Sequence, residues 1–367
     1  MKYYLIAGEA SGDLHGANLM KTIKTLDPEA SFRFWGGDLM LAQGGTLVNH
    51  YKERAFMGIS EVIKNLGKIL GFIKQCKKDL MANKPDALIL VDYPGFNMKI
   101  AKFARQHGIV VHYYISPKVW AWNTSRVHKI KRDINYLYSI LPFEVDFYKQ
   151  YGMKIDYVGN PICDAIQQFN FNPDFKEANG FTKPVIALLP GSRLAELRYV
   201  LPSMLSVVDK FKDYEFILAG THAIDDEVYQ SYLKEIPVRV IKNQTYDVIK
   251  NAHAALVCSG TATLETALLN CPQVVCYRFS NLSYQIGKLV IKIKFISLVN
   301  LIMNKKVVTE LIQNELSTDN IINELNVILE GDGRKNMTLS YVALKNKVGG
   351  PGASERTAEL IVRRTKQ

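Results

Sequence analysis

The sequence predicts an α/β protein of two doubly wound halves, each a parallel sheet with helices on both faces, the halves facing a cleft. Three observations predict it. Short runs rich in Val, Ile and Tyr alternate with amphipathic stretches, as in βαβ units. The alternation occurs twice, and between the two passes residues 159–184 place Gly159, Pro161, Pro173, Gly180 and Pro184 in polar sequence, which reads as a linker. The loops richest in small and charged residues come directly after strands, where open α/β sheets bind ligands.

In the first half, strands are expected at 3–7, 32–35, 87–91, 110–115 and 136–140, with helices near 15–26, 61–80, 97–107 and 143–151. In the second half, strands are expected at 185–189, 215–218, 238–241, 255–258 and 274–277. Each half is therefore Rossmann-like. The chain has 367 residues, 48% hydrophobic and 22% charged, enough to bury large cores without disulfides. Its five cysteines form no C-x-x-C pair, which suits a reducing compartment. The opening MKYYLIAGEASGD reads as a strand and lacks the apolar core and cleavage site of a signal peptide. The most apolar run, 286–303, is interrupted by Lys288, Lys292 and Lys294, so no bilayer span is expected. The net charge of +11 favours anionic partners. Zinc-finger, RNP-like and Arg-rich patterns are missing, so nucleic acid is not expected. Lysines scattered among apolar residues suit an anionic membrane surface better.

Five motifs carry chemistry. Gly8-Glu9-Ala10-Ser11-Gly12-Asp13 follows the first strand, where glycines turn the backbone into a helix whose amides can face a ligand. It is not G-x-G-x-x-G, which removes the main support for a dinucleotide cofactor and an oxidoreductase. Capping by Ser11 or Asp13 competes with a ligand role, although it leaves Glu9 unexplained. Asp92, in Val91-Asp92-Tyr93-Pro94-Gly95-Phe96-Asn97, ends an apolar strand where an unpaired carboxylate is costly to bury. At the rim of the cleft it can accept a proton from an attacking hydroxyl; a turn or cap aspartate is the competing reading. Trp120 and Trp122, in Ser116-Pro117-Lys118-Val119-Trp120-Ala121-Trp122, can stack on a sugar or acyl chain or pack a core. The basic residues after them fit a solvated face.

In the second half, Pro190-Gly191-Ser192-Arg193 offers close backbone approach at Gly191 and Ser192 and a guanidinium fork suited to phosphate. Pairing of Arg193 with Glu196 is the alternative. Ser259-Gly260-Thr261-Ala262-Thr263-Leu264-Glu265 exposes the amides of a starting helix to a diphosphate. Glu265, a little over a turn further on, can accept the hydroxyls of a ribose; a capped helix with an early glutamate is the plainer reading. The histidines are dispersed and no D-x-D occurs, so neither metal nor cofactor is expected, and leaving-group charge falls to Arg193 and helix N-termini. Finally, Val62, Ile63, Leu66, Ile69, Leu70 and Ile73 recur at helical spacing among lysines in 61–80, a basic amphipathic helix that can lie in a lipid interface or face a core. Residues 282–298 form a second such stretch.

Taken in order, AGEASGD, MGISEV, DYPGFN, YYISPKVWAW, LPFE, LPGSR, SGTATLE and SLVN resemble the lipid A disaccharide synthase family of inverting glycosyltransferases with the GT-B fold. The resemblance implies transfer of 2,3-diacylglucosamine from its UDP derivative to 2,3-diacylglucosamine 1-phosphate (lipid X), giving a β-1,6-linked disaccharide 1-phosphate and UDP. Asp92 matches the family's general base and Arg193 an arginine important for activity. Glu9 and Asn300 match further polar positions of its site, and Ser259 to Glu265 its UDP-binding loop and helix. Val299 stands where the family often has proline, which alters the expected loop near Asn300. The resemblance also implies a cytoplasmic enzyme, peripheral on the inner face of the inner membrane. The expected domains are 1–165, binding acceptor and membrane; 180–345, binding UDP-sugar; and 346–367, a helix whose packing partner, the first domain included, stays open. A homodimer is an admissible assembly. The rival readings are another UDP-sugar enzyme of this fold, such as a UDP-N-acetylglucosamine 2-epimerase or a cell-wall glycan transferase, and a non-catalytic UDP-sugar-binding module.

Overall fold

The protein is described here by a computed structural model covering residues 1–54, 66–258, 260–279, 284 and 293–367. It divides into two compact units, Met1–Pro161 with Pro351–Gln367, and Ile162–Gly350. The first unit holds β1 (Lys2–Ala7), β2 (Ser31–Gly36), β3 (Thr46–His50), β4 (Ala87–Val91), β5 (Val110–Tyr114), β6 (Tyr136–Ser139) and β7 (Asp156–Tyr157) in the order β3-β2-β1-β4-β5-β6-β7. The second holds β8 (Val185–Leu189), β9 (Glu215–Gly220), β10 (Val238–Lys242), β11 (Ala252–Cys258), β12 (Gln273–Tyr277) and β13 (Thr309–Ile312) in the order β10-β9-β8-β11-β12-β13. All of these pairings are parallel. Each sheet reverses its direction of winding once, between β1 and β4 and between β8 and β11, and ligands in such sheets bind beyond the carboxyl ends of the strands at that point.

Two-residue alternation divides β1 between two cores. Tyr3, Leu5 and Ala7 join a cluster with Leu19, Met20 and Ile23 of the helix Ala10–Leu26. Tyr4 and Ile6 join another with Cys76 and Leu80 of the helix Leu66–Asn83 and with Phe96 and Ile100 of the helix Pro94–Gln106. Burial on both faces is why these strands read as continuous apolar runs. The C-terminal helix Ala353–Thr365 belongs to this first unit, contributing Ala358, Ile361 and Val362 to the core over Ala10–Leu26. Polar contacts tie it down as well. Arg364 donates to both carboxylate oxygens of Asp156 at 2.6 and 3.1 Å, and Arg356 Nε to the carbonyl of Val158 at 2.8 Å.

In the second unit, Val185, Ala187, Leu189, Ile217 and Val257 pack with Val248 and Ile249 of the helix Thr245–Asn251. The helices Leu194–Leu205 and Thr318–Leu329 pack against β11 and β12. Residues 159–184 differ from the expected linker. Pro161 opens the helix Pro161–Gln168, where a fixed φ and a missing N–H cost nothing, and Phe175 is buried in the second core. Pro94 and Gly95 likewise form the first turn of the helix Pro94–Gln106.

Candidate active site

In the first unit the switch point is formed by the ends of β1 and β4, paired through Ala7 and Val91. Gly8 and Glu9 leave one strand and Asp92 leaves the other. Asp92 and Tyr93 both have left-handed backbone, with φ of 45° and 52°, a conformation uncommon for residues with a Cβ. Surrounding contacts hold this elbow. The carbonyl of Asp92 accepts from the Tyr113 hydroxyl at 2.5 Å and from Asn97 Nδ2 at 2.7 Å, and its amide donates to the Tyr114 carbonyl at 3.0 Å. Asn97 is fully buried and also reaches the carbonyls of Val91 and Ile6, joining the ends of β4 and β1. The Tyr93 ring lies against Gly8, where a Cβ would sit 2.1 Å from its Cγ, so only glycine fits there.

The Asp92 side chain is half-buried. Loss of hydration pushes its pKa up, Lys118 pulls it back, the charge of Glu9 raises it further and the Tyr93 amide lowers it. Lys118 follows β5, the strand beside β4, and sequence reasoning passed over its role; its place after a neighbouring strand is the signal that could have found it. Glu9 is exposed at the start of the helix Ala10–Leu26 and accepts from Ser11 Oγ at 3.1 Å. Gly12 packs on Ala7. Neither Ser11 nor Asp13 caps this helix. Asp13 is buried and receives the amides of Gly37, Leu39 and Met40 at 2.7, 3.0 and 3.2 Å, anchoring the next strand–helix turn. The tryptophans of the third motif differ from each other. Trp120 donates to the buried Glu144 at 2.7 Å, which fixes it in the fold. Trp122 is 41% exposed with the Arg126 guanidinium 4.1 Å from its ring centre.

In the second unit the switch point is formed by β8 and β11, paired through Leu189 and Val257. Gly191 has φ of 102°, and a Cβ there would meet the Glu196 carboxylate at 2.2 Å. That carboxylate accepts from the amides of Ser192 and Arg193 at 3.0 and 3.2 Å. The Arg193 side chain is 73% exposed and 3.6 Å from Glu196, so the anticipated pairing exists but leaves the guanidinium in solvent. After β11, Gly260 has φ of 129° and stands before the helix Thr261–Leu268 with no side chain to cap it, leaving the amides of Thr261 and Ala262 without a cap from that position. Ser259 lies outside the described residues. Glu265 is desolvated, which raises its pKa, and the Tyr246 hydroxyl donates to its Oε1 at 2.9 Å.

The structure also places Asn300 and the apolar stripe of 61–80. Asn300 is fully buried and its amide is consumed locally: Nδ2 donates to the Val308 carbonyl and Glu310, both at 2.9 Å, and Oδ1 accepts from the amides of Val307 and Val308 at 2.7 and 3.0 Å. These bonds shape the loop around it. In the apolar stripe left open between lipid and core, Ile73 is buried in the core and Ile69 packs against that core, while Leu70 is 54% exposed. The helix uses its broader apolar face for the sheet, as an amphipathic surface helix does. Val62 and Ile63 lie outside the described residues, as do the side chain of Leu66 and most of 282–298. Among the described residues no helix is long and apolar enough to cross a membrane, and no three His, Cys, Asp or Glu side chains cluster as metal ligands.

A family model described as lipid-A-disaccharide synthetase matches residues 3–360. The chain is 38% identical over 368 residues to the lipid-A-disaccharide synthase of Syntrophus aciditrophicus (strain SB), covering 98% of this chain and 96% of that one. It is 36% identical over 367 residues to that of Myxococcus xanthus (strain DK1622), with the same coverage. Among solved structures, the UDP-GlcNAc 2-epimerase from Neisseria meningitidis bound to UDP-GlcNAc matches with a TM-score of 0.67 at 13% identity, covering 99% of this chain and 100% of that one. The calicheamicin glycosyltransferase matches with a TM-score of 0.60 at 13% identity, covering 100% and 98%. These structural likenesses concern fold alone, which an epimerase and a glycosyltransferase share.

Proposed function

We infer the chemistry from one premise: the chain belongs to the lipid-A-disaccharide synthetase family. It is a glycosyltransferase of the GT-B fold acting in lipid A biosynthesis. The donor is UDP-2,3-diacylglucosamine and the acceptor 2,3-diacylglucosamine 1-phosphate. In a single in-line displacement the acceptor 6-oxygen attacks the anomeric carbon, the bond from that carbon to the diphosphate oxygen breaks, and UDP leaves with the electron pair. Asp92 takes the hydroxyl proton. Arg193 and the amides at Thr261 and Ala262 carry the diphosphate charge, and Glu265 accepts the ribose hydroxyls. Glu9 and Lys118 set the charge around Asp92. In this division of labour the first unit handles acceptor and membrane, the second UDP-sugar.

The observation that carries the reading is the Asp92 elbow. Its backbone is held by Asn97, Tyr113 and Tyr114 in a conformation few aspartates adopt, and its carboxyl is desolvated toward the range useful for a base. The test is incubation of donor and acceptor with the enzyme in EDTA, followed by mass spectrometry and NMR of the new linkage. Equal amounts of UDP and β-linked disaccharide 1-phosphate support the reading; UDP with free sugar, or an epimerised donor, contradicts it.

The reading includes peripheral association with the inner face of the inner membrane; exposed Leu70 and the lysines Lys68, Lys74, Lys77 and Lys78 of the helix Leu66–Asn83 support contact with an anionic lipid surface. Sedimentation with phosphatidylglycerol vesicles is expected to carry the protein down, more weakly for Leu70→Glu and at high salt. Equal recovery with neutral and anionic vesicles would contradict the electrostatic part.

A further inference from the structure

Glu265 has one hydrogen-bond donor among the described residues, the Tyr246 hydroxyl, on Oε1; Oε2 has none. Tyr246 lies on the helix Thr245–Asn251, and its ring meets Phe169 edge-on, with centroids 5.2 Å apart. Phe169 in turn packs against Phe171 at 4.9 Å. An aromatic wall from the start of the second unit thus holds a phenol whose hydroxyl meets one carboxylate oxygen. A two-oxygen acceptor with one oxygen fixed and the other unoccupied has the valence for a vicinal diol.

We propose that Tyr246 is a positioning residue for nucleotide binding, holding Glu265 by Oε1 so that Oε2 meets the ribose hydroxyls of UDP. This rests on the reading that the helix Thr261–Leu268 receives UDP. It adds a residue that no motif exposed, because Tyr246 lies 19 positions upstream of Glu265 in a different helix. The electrostatics agree. Burial raises the Glu265 pKa and the bond from Tyr246 is the opposing influence, while Cys163 acts on Tyr246 in turn. Asp247 and Lys250 share the helix of Tyr246, and Lys345 lies on the helix Gly331–Val348 packed against Thr261–Leu268; burial and the Tyr246 bond are the influences that set the Glu265 carboxyl. Ionised Glu265 is the better acceptor for hydroxyls, so UDP affinity is present above its pKa and lost as pH falls through it.

The test is UDP binding by calorimetry from acid to neutral pH, with donor and acceptor KM measured alongside. Tyr246→Phe keeps the ring against Phe169 and removes the donor. It is expected to weaken UDP roughly tenfold, the scale of a hydrogen bond to a charged group. Donor KM rises while acceptor KM stays unchanged, and the acid loss of affinity moves to higher pH. Thermal unfolding reports whether the variant keeps its fold. Glu265→Gln supplies an arm that leaves Tyr246 in place: the wild-type response to pH, less that of UDP's own phosphate, should vanish in it. Wild-type affinity and pH response in Tyr246→Phe, with weak binding in Glu265→Ala, would overturn the proposal alone. Unchanged binding in all three variants would instead overturn the assignment of Glu265 to UDP. A pH response persisting in Glu265→Gln overturns the proposed link between Tyr246 and that charge.

Discussion

Asp92 is a carboxylate whose pKa is set by opposed neighbours, and each neighbour gives a signed expectation. A base works ionised, so kcat/KM falls on the acid side of its raised pKa. Lys118→Ala removes the charge that lowers this pKa, and the acid limb moves up, by as much as about one pH unit. Glu9→Gln removes a charge that raises it, and the limb moves down. Limbs moving the other way, or unmoved in both, would show that the titrating group is not Asp92. Residue type and place after a strand made Asp92, Arg193 and Glu265 candidates in the sequence, and the structure puts them after β4, β8 and β11. Spacing does not reveal when a polar side chain is consumed by its own surroundings, which is why the pattern alone left Trp120 open between stacking and core and offered Asn300 as a site residue. Asn300 is saturated by Val307, Val308 and Glu310, and Trp120 by Glu144.

Among the elements, the C-terminal helix Ala353–Thr365 depends most on contacts distant in sequence. Thr365 lies 3.2 Å from Nε2 of His112, a buried histidine on β5 that stacks on Tyr136 and Tyr138. Burial, aided by the Arg364 charge, pushes the His112 pKa down to about 3. Below its ordinary pKa of about 6.5 the unfolded chain then binds a proton the folded chain refuses. Stability therefore rises with pH up to that value and is lost on acidification through this window. His112→Gln should flatten the rise in denaturant midpoint between about pH 4 and 6.5; an equally steep rise in the variant would contradict a neutral buried His112. No pattern in the sequence points to this docking, since the helix and β5 are far apart along the chain. Central strands were readable because burial on both faces makes them uniformly apolar. The edge strands β3, β7 and β13 were missed: half-exposed or two residues long, they carry no such run. For the same kind of reason Ile73 could not be told from a lipid-facing residue, because an apolar stripe does not say what it meets.

At the scale of the whole molecule, one strand order serves twice. The order β10-β9-β8-β11-β12-β13 repeats that of β3-β2-β1-β4-β5-β6, and each sheet brings its charged and glycine-rich loops to its own switch point. The loop order along the chain was legible because each motif follows a strand. The repeated alternation likewise made two Rossmann-like halves legible; the strand order within each sheet was not, since alternation along the chain does not say which strands lie side by side. The roles proposed for the two switch points, a proton acceptor after β4 and an anion cradle after β8 and β11, suit a reaction that must deprotonate one sugar and release UDP from another. The most direct test is Asp92→Asn, measured for single-turnover disaccharide formation and for UDP affinity in the same preparation. The account predicts turnover lower by about a hundredfold to ten-thousandfold with UDP affinity unchanged. Product formed at the wild-type rate would contradict it.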